Sequence, residues 1–184
     1  MTEPLLVWAP LAVHIGAATI KRAIIGPPKT PSTLGATGWL LATALLPVHV
    51  LLHRLNPTHP EPPVLSLGPS QLDYEFVKVG LAVWPVMSWT LYSALVVSMM
   101  FHAVEGAALM FRVWRRGTTP SEPKDRRRRK KIVAIVKNVA ASAGISTVLG
   151  GLAVIATEPL NVSRVLMSRI EASFMLVSMF RRTR

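Results

Sequence analysis

Four histidines and one glutamate stand in or at the ends of long apolar stretches, and they are the residues best equipped for chemistry: His14, His49, His53, His102 and Glu105. His49 and His53 are four residues apart, and His102 stands three before Glu105 and four before Gly106. Each set therefore shares one face of a helix. Two imidazoles on facing helices at equal depth ligate a haem iron axially. On helical rise, His14 lies roughly 13 Å from one membrane face and His49 roughly 9 Å from the same face. His102 reaches mid-depth if its helix overhangs that face, so depth leaves every haem b axial pair among His14, His49 and His102 open. The other reading is interhelical hydrogen bonding, with His102 or Glu105 satisfied by a neighbouring hydroxyl or backbone carbonyl. For Glu105 the nearest candidate partners are His102 and Arg112. A proton or headgroup relay is the sharper use of that carboxylate.

The segments that must position these residues are long and oily. From Asp73 to Arg116 the chain is apolar between Val79 and Phe111 except for small hydroxyls and the step His102-Ala103-Val104-Glu105-Gly106. Those positions span roughly 50 Å as a helix against a hydrocarbon thickness of about 30 Å, which predicts a crossing helix with an overhang, bent at Pro85. Leu5 to Ile25, Leu34 to Leu55 and Ile132 to Ala156 read as three further spans, the second kinked at Pro47. The predicted fold is all-α: a polytopic bundle of four transmembrane helices over residues 1–160 (spans 5–25, 34–55, 79–111 and 132–156). A C-terminal amphipathic helix over 161–184 is expected to lie in the interface, because Val162, Val165, Leu166, Ile170 and Phe174 alternate with Arg164, Arg169 and Glu171. In the fourth span Ser142, Ser146 and Gly150, like Ala140 and Gly144, recur every four positions, which predicts a helix packed inside the bundle.

Connectors supply the contrast. Asn56 to Gln71 holds five prolines in sixteen residues and reads as an extended surface loop. Gly117 to Lys131 reads as a polar, basic loop. The net charge is +12, with mean hydropathy +0.40, and ten of the 21 basic residues fall between Arg112 and Lys131. That placement beside a span points to topology and anionic lipid rather than nucleic acid. The run Arg126, Arg127, Arg128, Arg129, Lys130 and Lys131 is either a topology anchor or a docking site for anionic lipid or protein. Lys21, Arg22 and Lys29 share its face, which the positive-inside rule makes cytosolic. Without cysteine there is no disulfide, thiolate catalyst or Cys-ligated metal, and no phosphate loop, Ser-His-Asp series or HExxH occurs, so an enzyme is not expected. Asn161-Val162-Ser163 matches a glycosylation sequon with nothing beside it to mark a secretory lumen. The start at Met1-Thr2-Glu3 is no signal peptide, and its abruptness suggests an upstream segment absent here.

Several steps together resemble a known family. They are Glu3-Pro4-Leu5-Leu6-Val7-Trp8-Ala9-Pro10-Leu11-Ala12-Val13-His14 followed by Lys21-Arg22, then Leu46-Pro47-Val48-His49 with Arg54, Asp73-Tyr74-Glu75-Phe76-Val77-Lys78, and His102 to Gly106. Across residues 3 to 116 they resemble fungal mitochondrial outer-membrane adaptors first described as complementing loss of the mitochondria–ER tether. A more distant likeness is to the haem-bearing membrane anchor of succinate dehydrogenase. The resemblance implies a multi-helix outer-membrane protein in lipid homeostasis, recruiting a bridge-like lipid-transfer protein to membrane contact sites and helping lipids re-equilibrate between leaflets. The family's recruiting segment and a further helix precede the Glu3-Pro4 step and are not in this sequence. The expected function is a non-enzymatic adaptor whose partners are membrane lipids and that transfer protein, with His14, His49, His53, His102 and Glu105 as a polar seam. A b-type haem protein or electron-transfer anchor is the rival, and a purely structural subunit the third alternative.

Overall fold

The computed structural model describes residues 2–26, 30, 32–114 and 123–181, with side chains at 123–127 outside the description. Seven helices of four or more residues follow one another: α1 Pro4–Ile25, α2 Thr33–Thr58, α3 Tyr74–Val83, α4 Pro85–Trp114, α5 Pro123–Thr157, α6 Arg164–Met175 and α7 Ser178–Arg181. There is no strand among the described residues. α1, α2, α4 and the Arg128–Thr157 part of α5 are long and apolar enough to cross a membrane. The chain is an all-α polytopic membrane protein.

Local sequence explains where the helices start and stop. α1 ends at Gly26, whose φ of 79° suits only a residue without Cβ. α2 begins after Ser32, whose Oγ accepts from the Gly35 N–H. Pro47 is carried inside α2 between two widened turns, with Leu46 N–H reaching Leu41 O and Asn56 N–H reaching Leu51 O. The widening gives room for a ring that cannot donate and would clash with the turn before it.

The single bent helix expected over 79–111 is two helices. Trp84, ahead of Pro85, leaves helical geometry at φ −128° and ψ 65°, because the proline ring disfavours the helical region for its predecessor. Ser88 Oγ donates to Gly80 O at 2.7 Å and ties α3 to α4 across the break.

The well-packed core lies at the end of the bundle where this break occurs. Phe76 and Val79 from α3, Trp84, Leu52 from α2, Val64 and Leu67 from the Pro-rich loop, Ile170 and Phe174 from α6 and Phe180 from α7 are all buried there. Phe174 stacks on Phe76 and Trp84 with ring centroids 5.0 and 5.5 Å away. It also lies against Gly80, where an added Cβ would come 2.9 Å from Phe174 Cζ. This cap corrects one expectation. The Pro-rich connector is an ordered part of the core rather than an extended surface loop, held by Arg169, which donates to Val64 O and Leu65 O at 2.8 and 3.0 Å. The C-terminal amphipathic helix packs Ile170 and Phe174 against the aromatic groups of α3 and the loop, while Val165 of the same expected apolar set stays exposed.

At the opposite, Arg-rich end α5 is helical from Pro123, which corrects the basic loop expected over Gly117 to Lys131 from that residue on; residues 117–122 lie outside the described residues. α4 is the central helix, packed on α2 and α5. α5 touches it through Ala141, which is buried, and Gly144, whose added Cβ would sit 2.7 Å from Met100 Sδ. Yet Ser142, Ser146 and Gly150 are exposed, so α5 packs by one face only and is not enclosed by the bundle. α1 has no buried residue at all.

Candidate functional site

The expected seam is three separate polar contacts rather than one line of side chains. α4 carries Tyr92, His102 and Glu105, but they turn toward different neighbours. Only about 60° separates His102 from Glu105 around α4, but the first meets α1 and α2 and the second the long side chain of Lys137 from α5.

Nearest the cap, His49 and His53 of α2 lie side by side with ring centroids 4.6 Å apart. His53 Nε2 shares a 3.2 Å hydrogen bond with the Tyr92 hydroxyl and its ring faces Phe76 and Phe174. His49, His53, Tyr92 and Phe174, with Ser88 and Phe180, line a cleft of about 20 Å³, enough for about one water molecule.

Deeper in the bundle His14 of α1 meets His102 of α4 edge to face, centroids 5.8 Å apart. His102 Nδ1 lies 3.2 Å from Leu34 O. A carbonyl only accepts, so Nδ1 carries the hydrogen. Gly38 lets the ring this close to α2, since a Cβ there would come 2.9 Å from His102 Cε1. His102 is half-buried, whereas His14 is exposed on its other side.

Toward the Arg-rich end Glu105 accepts an ion-paired hydrogen bond from Lys137 of α5. Neither His102 nor Arg112 is its partner, which corrects the sequence expectation. Counting inward from the Arg-rich ends of α4 and α5 puts Glu105 and Lys137 at similar heights, a signal that was available. Lysine satisfies a carboxylate inside a membrane better than a neutral group does, because the pair cancels charge.

The residues present do not fit an axial haem pair. His14 and His102 touch each other edge to face, so no macrocycle lies between coaxial rings. His102 is further held by Leu34 O and lies against Gly38, and the His49 ring lies tilted against that of His53.

Sequence reasoning missed Tyr92, Lys137 and a second ion cluster at the cap. There Lys78, buried, bonds Glu75 and lies 3.6 Å from Glu158, while Glu75 accepts from the Asn161 N–H at 2.9 Å. The hydrogen bond from Lys78, and then that of Asn161, hold the Glu75 carboxyl below its ordinary 4.5. The Glu75 hydrogen bond holds the Lys78 ammonium above its ordinary 10.5. Separately, Glu3 pairs with Arg54 at 2.7 Å and accepts from Trp8 Nε1, joining the start of α1 to the end of α2. In the basic run Arg128, Arg129, Lys130 and Lys131 are exposed on the first turns of α5. The Arg126 and Arg127 side chains lie outside the described residues.

No curated protein and no solved structure matches this chain. The profile of one family, described as the transmembrane domain of MDM10-complementing protein 1, matches residues 44–159. That segment takes in most of α2, all of α3 and α4, and α5 to its end. More than half of the chain is covered, with His49, His53, His102, Glu105 and Lys137 inside it, and the chain therefore belongs to the MDM10-complementing protein 1 transmembrane-domain family.

Proposed function

We propose that this chain is a non-enzymatic adaptor of the mitochondrial outer membrane that acts in lipid homeostasis. It works beside a bridge-like lipid-transfer protein at membrane contact sites and lets lipids pass between leaflets. The observation that carries the reading is the family match over residues 44–159. Polar groups placed within apolar helices favour a role in handling lipid, because such groups are costly in hydrocarbon and are kept where they meet headgroups, ions or one another.

In this reading the Arg-rich end is cytosolic by the positive-inside rule. Arg128, Arg129, Lys130 and Lys131 attract anionic headgroups there, each contributing about 1 kcal/mol close to the surface. The cap faces the other compartment. The test is reconstitution of the purified chain into phosphatidylcholine vesicles that carry an acyl-labelled lipid, followed by quenching of the outer leaflet. Complete quenching is expected with protein and half quenching without it. Half quenching in both removes leaflet exchange from the proposal. Protease accessibility of the basic turns in intact mitochondria tests the orientation.

A further inference from the structure

The charged and polar side chains inside the spans are mostly satisfied by protein. Glu105 has Lys137, His53 has Tyr92, and the cleft beside His49 and His53 admits about one water. His14 is different. It stands ten residues after Pro4 and eleven before Ile25, hence about 15 Å from either end of α1, at the middle of a bilayer. Its ring is exposed, and among the described residues no hydrogen bond to it is formed. α1 packs only by the face that holds Leu11, Ile15 and Arg22, so His14 sits at the open edge between α1 and α4.

Resting on the reading above, we propose that His14 and His102 form the mid-membrane station at which a phospholipid headgroup is received as it crosses between leaflets. The two rings offer complementary chemistry. His102 Nδ1 donates to Leu34 O, so in the neutral ring Nε2 is an acceptor. His14 supplies an N–H donor. A phosphate oxygen is held by His14, and a headgroup ammonium or hydroxyl by His102, which matches a phosphoethanolamine or polyol headgroup better than phosphocholine. Lys21 lies seven residues beyond His14 on the same face of α1, about 10 Å nearer the Arg-rich end, and is exposed. It is the next cation a phosphate meets on its way out.

The test uses the full chain in phosphatidylcholine vesicles with acyl-labelled phosphatidylethanolamine or phosphatidylcholine as tracer. Phosphatidylethanolamine is expected to exchange faster with the native chain. His14→Leu and His102→Leu are expected to slow its exchange about tenfold, the loss of one hydrogen bond to a charged group from the crossing barrier. His14→Gln, which keeps a donor, should recover most of the rate, and His59→Leu, in the loop outside the spans, should leave it unchanged. Native exchange with unaltered rates in both leucine variants overturns the station while leaving lipid exchange in place. No native exchange above protein-free vesicles overturns both. Loss of rate in His14→Leu that tracks dissociation of a detergent-solubilised dimer, read by light scattering, also overturns it and assigns His14 to a helix contact between two copies.

Discussion

The cap and the spanning bundle are held together by different physics. In the cap, four aromatic rings and several aliphatic groups are buried from elements distant in sequence, as in the core of a water-soluble domain. In the bundle almost nothing is buried: at most 6% of the most apolar window of any spanning helix, and none of α1. Water drives apolar groups together in the cap. Lipid gives no such drive between helices, and there contact depends on close approach at Gly38 and Gly144 and on a few polar pairs. The cap holds the buried core, whereas in the bundle the polar groups are mostly paired with protein and His14 is the exposed exception.

The strongest way to break that contrast is Phe174→Ala. Removing a ring stacked on two others should destabilise the cap by about 3–5 kcal/mol, read as faster hydrogen exchange over residues 56–72 and 164–181 with α4 and α5 unchanged. Equal acceleration in the bundle would show that the two regions unfold as one. Next is the intramembrane pair. Glu105→Gln alone should cost about 2 kcal/mol by leaving an ammonium without its counter-charge, and the added change Lys137→Met should restore much of it, measured by thermal unfolding in detergent. Gly80→Ala, which drives a methyl into the Phe174 ring, should cost about 1–3 kcal/mol and loosen only the cap.

Milder still is the response to pH. Because Glu75 is held below its ordinary 4.5, its contribution is present above that value and is lost as pH falls through the lowered one. Lys78 contributes fully below 10.5 and loses its share as pH rises through its raised value. Trp84 fluorescence should therefore report loosening in both acid and strong alkali, and the acid limb should vanish in Glu75→Gln. Last, Glu3→Gln should change unfolding by less than about 1 kcal/mol, since both partners of the Arg54 pair are about half exposed.

The spans were legible because hydropathy is a local property: twenty apolar residues announce a crossing wherever they sit. The cap was not, because its signal is divided. Val64 and Leu67 look incidental among prolines, Phe174 and Phe180 look like the lipid-facing stripe of an amphipathic helix, and only their meeting with Phe76 and Trp84 makes a core. His14 and His102 were visible as candidates, and their contact is observed. That they part company with Glu105 was hidden, since it depends on Lys137 from a helix some thirty residues away in sequence. The haem reading fails for the same reason: depth is countable from sequence, but ring orientation is not.

The return of α6 and α7 to the cap sets an order of events during synthesis. Arg169 grips carbonyls at Val64 and Leu65, more than a hundred residues upstream, and Asn56 reaches Ser173 O. No amount of earlier chain can complete that closure. Until α6 and α7 leave the ribosome, Trp84 and Phe76 have no lid, and a premature stop near residue 160 would leave the four spanning helices with an open, adhesive end for quality control to recognise.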